Sequence, residues 1–464
     1  MSEALEVARE ALRGERAWVV GGAVRDRLLG RPVVDLDVAV AGDPRAPARH
    51  LALIAGGPVF QLSGEFGAWR VHAPGRRWQV DVTALQGDSI EEDLAQRDFT
   101  VNAIAEPLDG GPLIDPFDGA VDLEARRLRM VSEENFDRDP LRVLRLARFA
   151  AGLGFEPDEE TIAAAAQRAG RIGDVAQERA FAEFRQLLTG DRPSEGLALM
   201  DRLGLTEQLL PELVALRGID QNRFHHLDVH DHTLAVLEAV MELQRDPASA
   251  VGPEHAEAVA AFLGEALADE LTRGDALRFG ALLHDAGKPA TRDFTPEGNV
   301  TFIGHDREGA RISREVLTRL RASERLRAHV AALAEHHLRL GFLVHQRPLE
   351  RRQVYRYLKA CEPVEVDVTL LSVADRLATR GDNAEPAIAA HLDLAREILG
   401  AALAWRAAGR RTPVVRGDEL AEALGIEEGP KLGELLAAID EAAYAGEISG
   451  RDDAIELARG MLGS

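Results

Sequence analysis

The chain has 464 residues, with 55 basic against 78 acidic side chains; the formal charge of −23 excludes a polybasic binder that coats nucleic acid across its whole surface. Aromatics at 5% argue against extended base-stacking platforms, and a lone cysteine, Cys361, excludes a disulfide framework or a cysteine-based zinc site. MSEALEVAREALRGERAW alternates charge without the apolar run of a signal peptide, and no run of ~18 apolar residues follows it, so a cytoplasmic protein with no DNA or membrane partner is expected.

Residues 17–127 read as mixed α/β. Trp18-Val19-Val20 is a short apolar strand ending at Gly21-Gly22, and VVDLDVAV (33–40) alternates into a second strand. AWRVH (68–72) and WQVDVTA (78–84) predict a hairpin across Pro74-Gly75. From about residue 138 helical periodicity takes over, with glycine stops near Gly152–Gly154, Gly190, Gly204, Gly341 and Gly381. DPASAVGPEH (246–255) reads as a flexible connection. The expected class is α+β: a head over 1–127, a helical neck over 128–224, a body over 225–385 and a helical acidic tail over 386–464. From Arg311 to Lys359 twelve Arg/Lys stand against four Glu, and Arg142, Arg145 and Arg148 form a second basic stripe. Either run alone reads as a solvated helix face; two of them flanking candidate sites favour a phosphate-backbone track.

Asp35 and Asp37 stand two apart on a strand, so both carboxylates leave the same face. Held that close they repel unless a cation is shared, and Mg²⁺ suits a few carboxylates plus substrate phosphates. GGAVRD (21–26) places two glycines at a strand-to-helix turn, where backbone N–H groups can approach a triphosphate and Arg25 adds charge. A plain tight turn is the simpler reading of the glycines. In RDFTVNA (97–103), Arg97 and Asn102 are polar groups able to hold triphosphate or ribose. In RDPLRVLRLARF (138–149), Asp139 and Arg142 are neighbours on one helix face. A carboxylate accepts from the exocyclic amine of cytosine or adenine while a guanidinium donates to the adjacent ring nitrogen; uracil and guanine offer the wrong groups there. The local alternative is Asp139 as a helix cap before Pro140.

Taken in order, GGAVRDRLLG, VVDLDVAV, EEDLAQRDFTVNA, DPFDGAVDLEARRLR and RDPLRVLRLARF resemble the class II tRNA nucleotidyltransferases over roughly residues 15–215. That family holds CCA-adding enzymes and bacterial poly(A) polymerases within the polymerase β superfamily. The resemblance implies a polymerase β-like nucleotidyltransferase head with Mg²⁺ on Asp35 and Asp37. It implies triphosphate on Gly21, Gly22 and Arg25, and nucleotide on Arg97, Asn102 and the stripe Arg142, Arg145 and Arg148. Asp139 with Arg142 would be the amino-acid template for CTP or ATP, Glu178 and Arg179 (QERAFAEF) a brace for the neck, and Asp81 a candidate third carboxylate. The partner would be the tRNA 3′ end, whose hydroxyl attacks the α-phosphate as pyrophosphate leaves.

Two departures stand out. Arg138 occupies a place where the family has an acidic residue. Only ALQGDSI (84–90) separates Thr83 from Glu91, where the family inserts a longer flexible stretch associated with switching the pocket from C to A. A CC-adding enzyme is therefore expected, with full CCA addition, poly(A) polymerase and a head that only presents RNA as the alternatives.

A second constellation starts at His284-Asp285, where LRFGALLHDAGKPA ends an apolar helix. His232 lies upstream; His305, the pair His336-His337 in AEHHLRL, and Asp375 lie downstream. Imidazole with carboxylate suits a divalent transition metal or Mg²⁺. The order resembles the HD-superfamily phosphohydrolases over about residues 225–385. It implies His232, His284, Asp285 and Asp375 as ligands of Mn²⁺, Ni²⁺ or Mg²⁺, and His305 and His336 at the extra positions of two-metal members. The implied reaction is hydrolysis of 2′,3′-cyclic phosphates or phosphomonoesters; a degenerate HD domain kept as a helical tRNA-binding body is the alternative.

Overall fold

The computed structural model describes residues 3–33, 35–63, 67–409 and 412–462. The chain is α+β and divides into two compact units, Met1–Leu209 and Leu210–Ser464. The division falls inside the stretch 128–224 read as the neck.

The first unit is built on a six-stranded sheet. Its strands are β1 (Ala17–Val20), β2 (Asp35–Val40), β3 (Val59–Ser63), β4 (Ala68–His72), β5 (Gln79–Ala84) and β6 (Ala105–Pro107), in the order β3-β4-β5-β2-β1-β6. β2 and β5 run parallel, and the other neighbours run antiparallel. The expected hairpin forms as β4–β5, with Trp69 opposite Val82. The second strand begins at Asp35, and Val34 lies outside the described residues. On β2 the side chains of Leu36 and Val38 are buried while Asp35 and Asp37 are exposed, so the period-2 alternation puts both carboxylates on the open face. Helix Leu141–Leu153 packs against Gln177–Leu188 and Pro193–Leu203 through buried Leu144, Leu187 and Met200.

The second unit centres on helices Val229–Arg245, Arg273–Leu283, Glu324–His336 and Glu365–Ala378. Three sequence expectations change here. Residues 246–255 are not an open connection: Pro247–Val251 and Pro253–Leu263 are helices, each with proline in its first turn, hinged at Gly252 (φ 85°) and anchored by buried Val251. Gly341 lies inside the helix Arg339–Leu343 instead of ending one. Helix Ala384–Ala408 runs across the expected body–tail boundary at 385/386, because Ile388, Leu394, Ile398 and Leu399 form one continuous buried stripe against Glu365–Ala378. Beyond it, Gly417–Leu424, Pro430–Ala445 and Arg451–Leu462 close a small core of their own around Leu420, Leu435, Ile439 and Ile455.

The basic run from Arg311 to Lys359 is largely an ion-paired surface. Arg311 pairs with Glu308 and Glu315, Arg314 with Glu324, Arg319 with Glu212, Arg352 with Glu447 and Lys359 with Glu362. Carboxylates brought in from elsewhere in the unit cancel the excess that the linear count suggested. Among the described residues, no helix is long and apolar enough to cross a membrane.

Two candidate active sites

In the first unit, β1 delivers the chain to Gly21, which adopts φ +69° before helix Gly22–Leu28 begins. A Cβ on Gly21 would stand 2.7 Å from Nη1 of Arg97 and 3.6 Å from Oδ2 of Asp37. Backbone conformation and crowding therefore both demand glycine here. The β2–β5 register sets Asp81 directly opposite Asp37, but Arg70 donates to both Asp81 carboxylate oxygens at 2.7 Å. Asp81 is thus held in an ion-pair fork, whereas Asp35 and Asp37 face the cleft. The Asp37 carboxyl is raised above the ordinary carboxylate value, first by the loss of water around its base and then, against the pull of Arg97, by the Asp81 and Asp35 charges. A divalent cation would relieve that repulsion, and the two carboxylates fit one.

The cleft has a volume of ≈ 1160 Å³ and is lined by Gly21, Gly22, Asp35, Asp37, Asp139 and Arg142 among others. Its wall is an interior charge network. Arg25 donates to Asn102 Oδ1 (2.7 Å) and to Asp26, and Asn102 Nδ2 donates to Asp98 Oδ1 (2.9 Å). Arg145 grips Asp98 Oδ2 through Nε (2.8 Å) and Nη2 (2.6 Å) and reaches Glu183, which also takes Arg148. Burial alone would raise the Asp98 carboxyl; Arg145 and the Asn102 amide outweigh it and hold it at about 2. Arg25 and Asn102, read as nucleotide contacts, are bonded to each other. Asp98 and Glu183 were missed; the signal was a carboxylate directly before a phenylalanine, in RDFTV and again in AEFRQLL.

Asp139 sits at the junction of Glu134–Arg138 and Leu141–Leu153. Its Oδ1 accepts from the Leu141 N–H (3.3 Å), a cap-like bond, and its Oδ2 from Arg179 Nη2 (2.7 Å). Arg179 therefore meets Asp139 itself. Arg142 Nη1 is buried with no hydrogen-bond partner, and burial lowers the Arg142 pKa despite Asp98 and Asp139 nearby. Glu178 stands on the same helix as Arg179, Gln177–Leu188. Arg138 is exposed at the end of its helix.

The short loop between β5 and helix Ile90–Ala95 is tied down. Gln86 N–H donates to Asp93 Oδ1 (3.0 Å), Asp88 N–H to Glu92 Oε2 (2.8 Å), and the Gln96 amide donates to the Gln86 carbonyl. The other Asp93 oxygen accepts from Arg97 Nη2 (2.9 Å), so the loop and Arg97 share one anchor.

In the second unit, the predicted histidines and aspartates converge. His232 Nε2 lies 3.0 Å from Asp375 Oδ1, His284 Nε2 3.2 Å from Asp285 Oδ2, and His305 Nε2 3.5 Å from Asp285 Oδ1. Two ligand groups result, His232–His284–Asp375 and Asp285–His305–His337. The second corrects one expectation: His337 enters the centre, and His336 does not. One residue is ~100° of helix rotation, which turns His336 outward, where its Nδ1 accepts from Arg339 Nε.

Three of these rings are fixed in one tautomer. His284, His305 and His337 each donate Nδ1–H to a carbonyl three residues back, Ala281 (2.8 Å), Phe302 (2.7 Å) and Ala334 (2.6 Å). A ring held this way turns Nε2 to the centre, the atom through which histidines bind metal. His305 and His337 bring two such nitrogens to 3.3 Å. Burial and the neighbouring His284 push the His337 pKa down to about 4. His284 Nε2 and Asp285 Oδ1 are buried and make no hydrogen bond, and Lys288 Nζ meets Asp285 Oδ2 at 2.6 Å. Lone pairs facing one another around an unsatisfied carboxylate fit a divalent cation. Sequence reasoning also missed His225, which lines the same ≈ 990 Å³ pocket with a pKa pushed down to about 4 by burial and by Lys288.

A carboxylate pair beside a glycine turn, backed by arginine-rich helices and followed by an HD-type centre, defines a nucleotide-transferring head linked to an HD domain. Family models match accordingly: the poly(A) polymerase head domain over 17–129, the probable RNA- and SrmB-binding site of polymerase A over 154–216, and the HD domain over 229–380. The chain is 38% identical over 438 residues to the A-adding tRNA nucleotidyltransferase of Deinococcus radiodurans, covering 93% of this chain and 92% of that one. It is 35% identical over 454 residues to the CC-adding tRNA nucleotidyltransferase of Thermus thermophilus, covering 94% and 92%. The crystal structure of the Bacillus stearothermophilus CCA-adding enzyme in complex with CTP shares the fold, with a TM-score of 0.65 at 23% identity over 98% of this chain and 97% of that one. The chain belongs to the CCA-adding tRNA nucleotidyltransferase family and is a nucleotidyltransferase.

Two outcomes follow from these geometries. A depressed Asp98 pKa contributes stability that is complete above the unfolded value near 4 and is lost as pH falls toward about 2. Asp98→Asn should cost roughly 2–3 kcal/mol at pH 7 and flatten the loss of stability between pH 4 and 2, as read by urea unfolding at stepped pH. At the HD centre, metal analysis after dialysis should find divalent metal retained by the parent and by His336→Ala, reduced in His337→Ala and lost in His284→Ala/Asp285→Ala. Equal metal in all four proteins refutes the ligand assignment.

Proposed function

We propose that this nucleotidyltransferase adds cytidines to the 3′ end of tRNA in the cytoplasm, taking CTP, releasing pyrophosphate and stopping before the final A. The observation that carries the reading is the unfilled donor of Arg142, buried at the cleft beside the Asp139 carboxylate. Asp139 keeps lone pairs beyond its bonds to Leu141 and Arg179, since a carboxylate accepts about four hydrogen bonds. Together they offer an acceptor for the exocyclic amine and a donor for the adjacent ring nitrogen of cytosine.

Mg²⁺ on Asp35 and Asp37 would supply the lowered hydroxyl pKa and the charge neutralisation that phosphoryl transfer needs. Gly21 lets the nucleotide phosphates approach the backbone, and Arg97, clamped by Asp93, keeps its guanidinium beside that turn. Arg25 and Asn102 act behind them by fixing the wall through Asp98.

Cytosine and adenine present the same amine-and-acceptor edge, so Asp139 and Arg142 need a moving part to change pocket size. Here the loop after β5 is short and bonded back to its own helix, which supports a pocket of one size. An A-specific pocket is the second reading, favoured by the similarity to the A-adding relative. We also assign the HD centre to hydrolysis of a 2′,3′-cyclic phosphate or phosphomonoester with Mn²⁺, Ni²⁺ or Mg²⁺, on the strength of its lone-pair geometry.

Sequencing the products decides the specificity. With CTP and ATP present, tRNA ending at the discriminator base should gain two C and stop, and tRNA ending in CC should gain nothing. Addition of A to the CC-ended tRNA alone means the A-specific pocket, and efficient completion to CCA overturns single specificity. Asp37→Asn should abolish all incorporation.

A further inference from the structure

A second, smaller pocket of ≈ 180 Å³ opens beside the nucleotide cleft in the first unit. That volume leaves room for a small anion such as one phosphate group. Arg25, Arg31, Arg148 and Arg192 line it, against a single carboxylate, Asp191. Arg25 and Arg148 line the main cleft as well, so the two spaces share a wall of guanidinium groups. That wall is already dense in positive charge: Arg25, Arg145 and Arg148 lie 5.2, 5.1 and 4.0 Å from the centre of the Phe149 ring.

The four arginines are not equivalent. Arg25 and Arg148 are committed to Asp26, Asn102 and Glu183. Arg192 donates Nε to the Ala151 carbonyl (2.9 Å), and its guanidinium lies where a side chain on Gly154 would stand, so a left-handed glycine (φ +70°) keeps its place open. Arg31 has no side-chain partner among the described residues and is exposed at the pocket. An unpaired cation beside three committed ones, in a protein of net charge −23, is a local positive excess that attracts an anion.

We infer that this side pocket holds a backbone phosphodiester of the tRNA 3′ strand, with Arg31 as the contacting cation and Arg192 as its fixed neighbour. The assignment rests on the tRNA reading proposed above. A strand bringing its 3′-hydroxyl to Asp35 and Asp37 carries its upstream phosphates along the cleft's flank, and the pocket on the far side of Arg25 and Arg148 supplies their counter-charge. The competing source of the same group is the nucleotide's own triphosphate or the departing pyrophosphate.

Arg31→Ala tests it, because the residue is exposed and its removal leaves the interior network intact. By fluorescence anisotropy without turnover, Arg31→Ala should weaken tRNA binding about threefold or more and lower the salt-dependence slope by about one. Arg31→Lys should restore most of the affinity, while the KM for CTP and inhibition by pyrophosphate stay unchanged. A single neutral methylphosphonate linkage near the tRNA 3′ end should weaken binding to the parent and have no further effect on Arg31→Ala. If CTP or pyrophosphate affinity moves and tRNA affinity does not, the pocket serves the nucleotide and the assignment fails. If nothing moves while the parent binds tRNA, the pocket holds no phosphate; if the parent itself fails to bind tRNA, the tRNA reading falls and this one with it.

Discussion

An ionised carboxylate in a protein interior costs several kcal/mol unless every oxygen is matched by a donor. Asp98 is such a group, at 5% exposure, and the wall of the nucleotide cleft is arranged around it. One oxygen takes the Phe99 N–H and the Asn102 amide, which fixes the 97–102 turn; the other takes the fork of Arg145, which fixes helix Leu141–Leu153. Glu183 extends the same match to helix Gln177–Leu188. Because Asp98 and Glu183 are used up by Arg145 and Arg148, Arg142, one turn earlier on the same face, is left with a donor to spare. The donor that the proposed reading gives to the base is what remains after the wall has satisfied itself.

The HD centre solves the opposite problem. There, imidazoles are turned inward by a device repeated three times, an Nδ1–H bonded to the carbonyl three residues back. Each ring is aimed by a carbonyl only three residues back along its own chain, so the centre is assembled where the segments carrying His284, His305 and His337 pack. Burial removes competing water, which strengthens the attraction of their lone pairs for a cation.

Charge follows a similar division. The long basic run of the second unit is balanced by glutamates from its own and neighbouring helices, so it gives little long-range field. The shorter stripe of the first unit is matched only in part, leaving a donor of Arg142 unfilled, and Arg31 adds an exposed charge nearby. A surplus beside a cleft is worth more than one on an open surface, because low-dielectric walls focus the field.

The sequence by itself determined what depends on local periodicity. Alternation along 35–40 put Asp35 and Asp37 on one face, the glycine pair marked the turn, and the histidines and aspartates of the HD centre could be named from their order. Family resemblance, carried by contiguous motifs, was legible for the same reason. Only the tertiary structure decided which charges were already spent. That Asp81 belongs to Arg70, that Asp139 meets Arg179, and that Arg25 bonds Asn102 depend on strand register and helix crossing between residues 11 to 77 positions apart. The choice of His337 over His336 depended on helix rotation, set by which stripe of Glu324–His336 packs inward. Hydrogen bonding and burial are properties of three-dimensional neighbours, and a linear pattern shows which groups are available without showing which of them the fold has already paired.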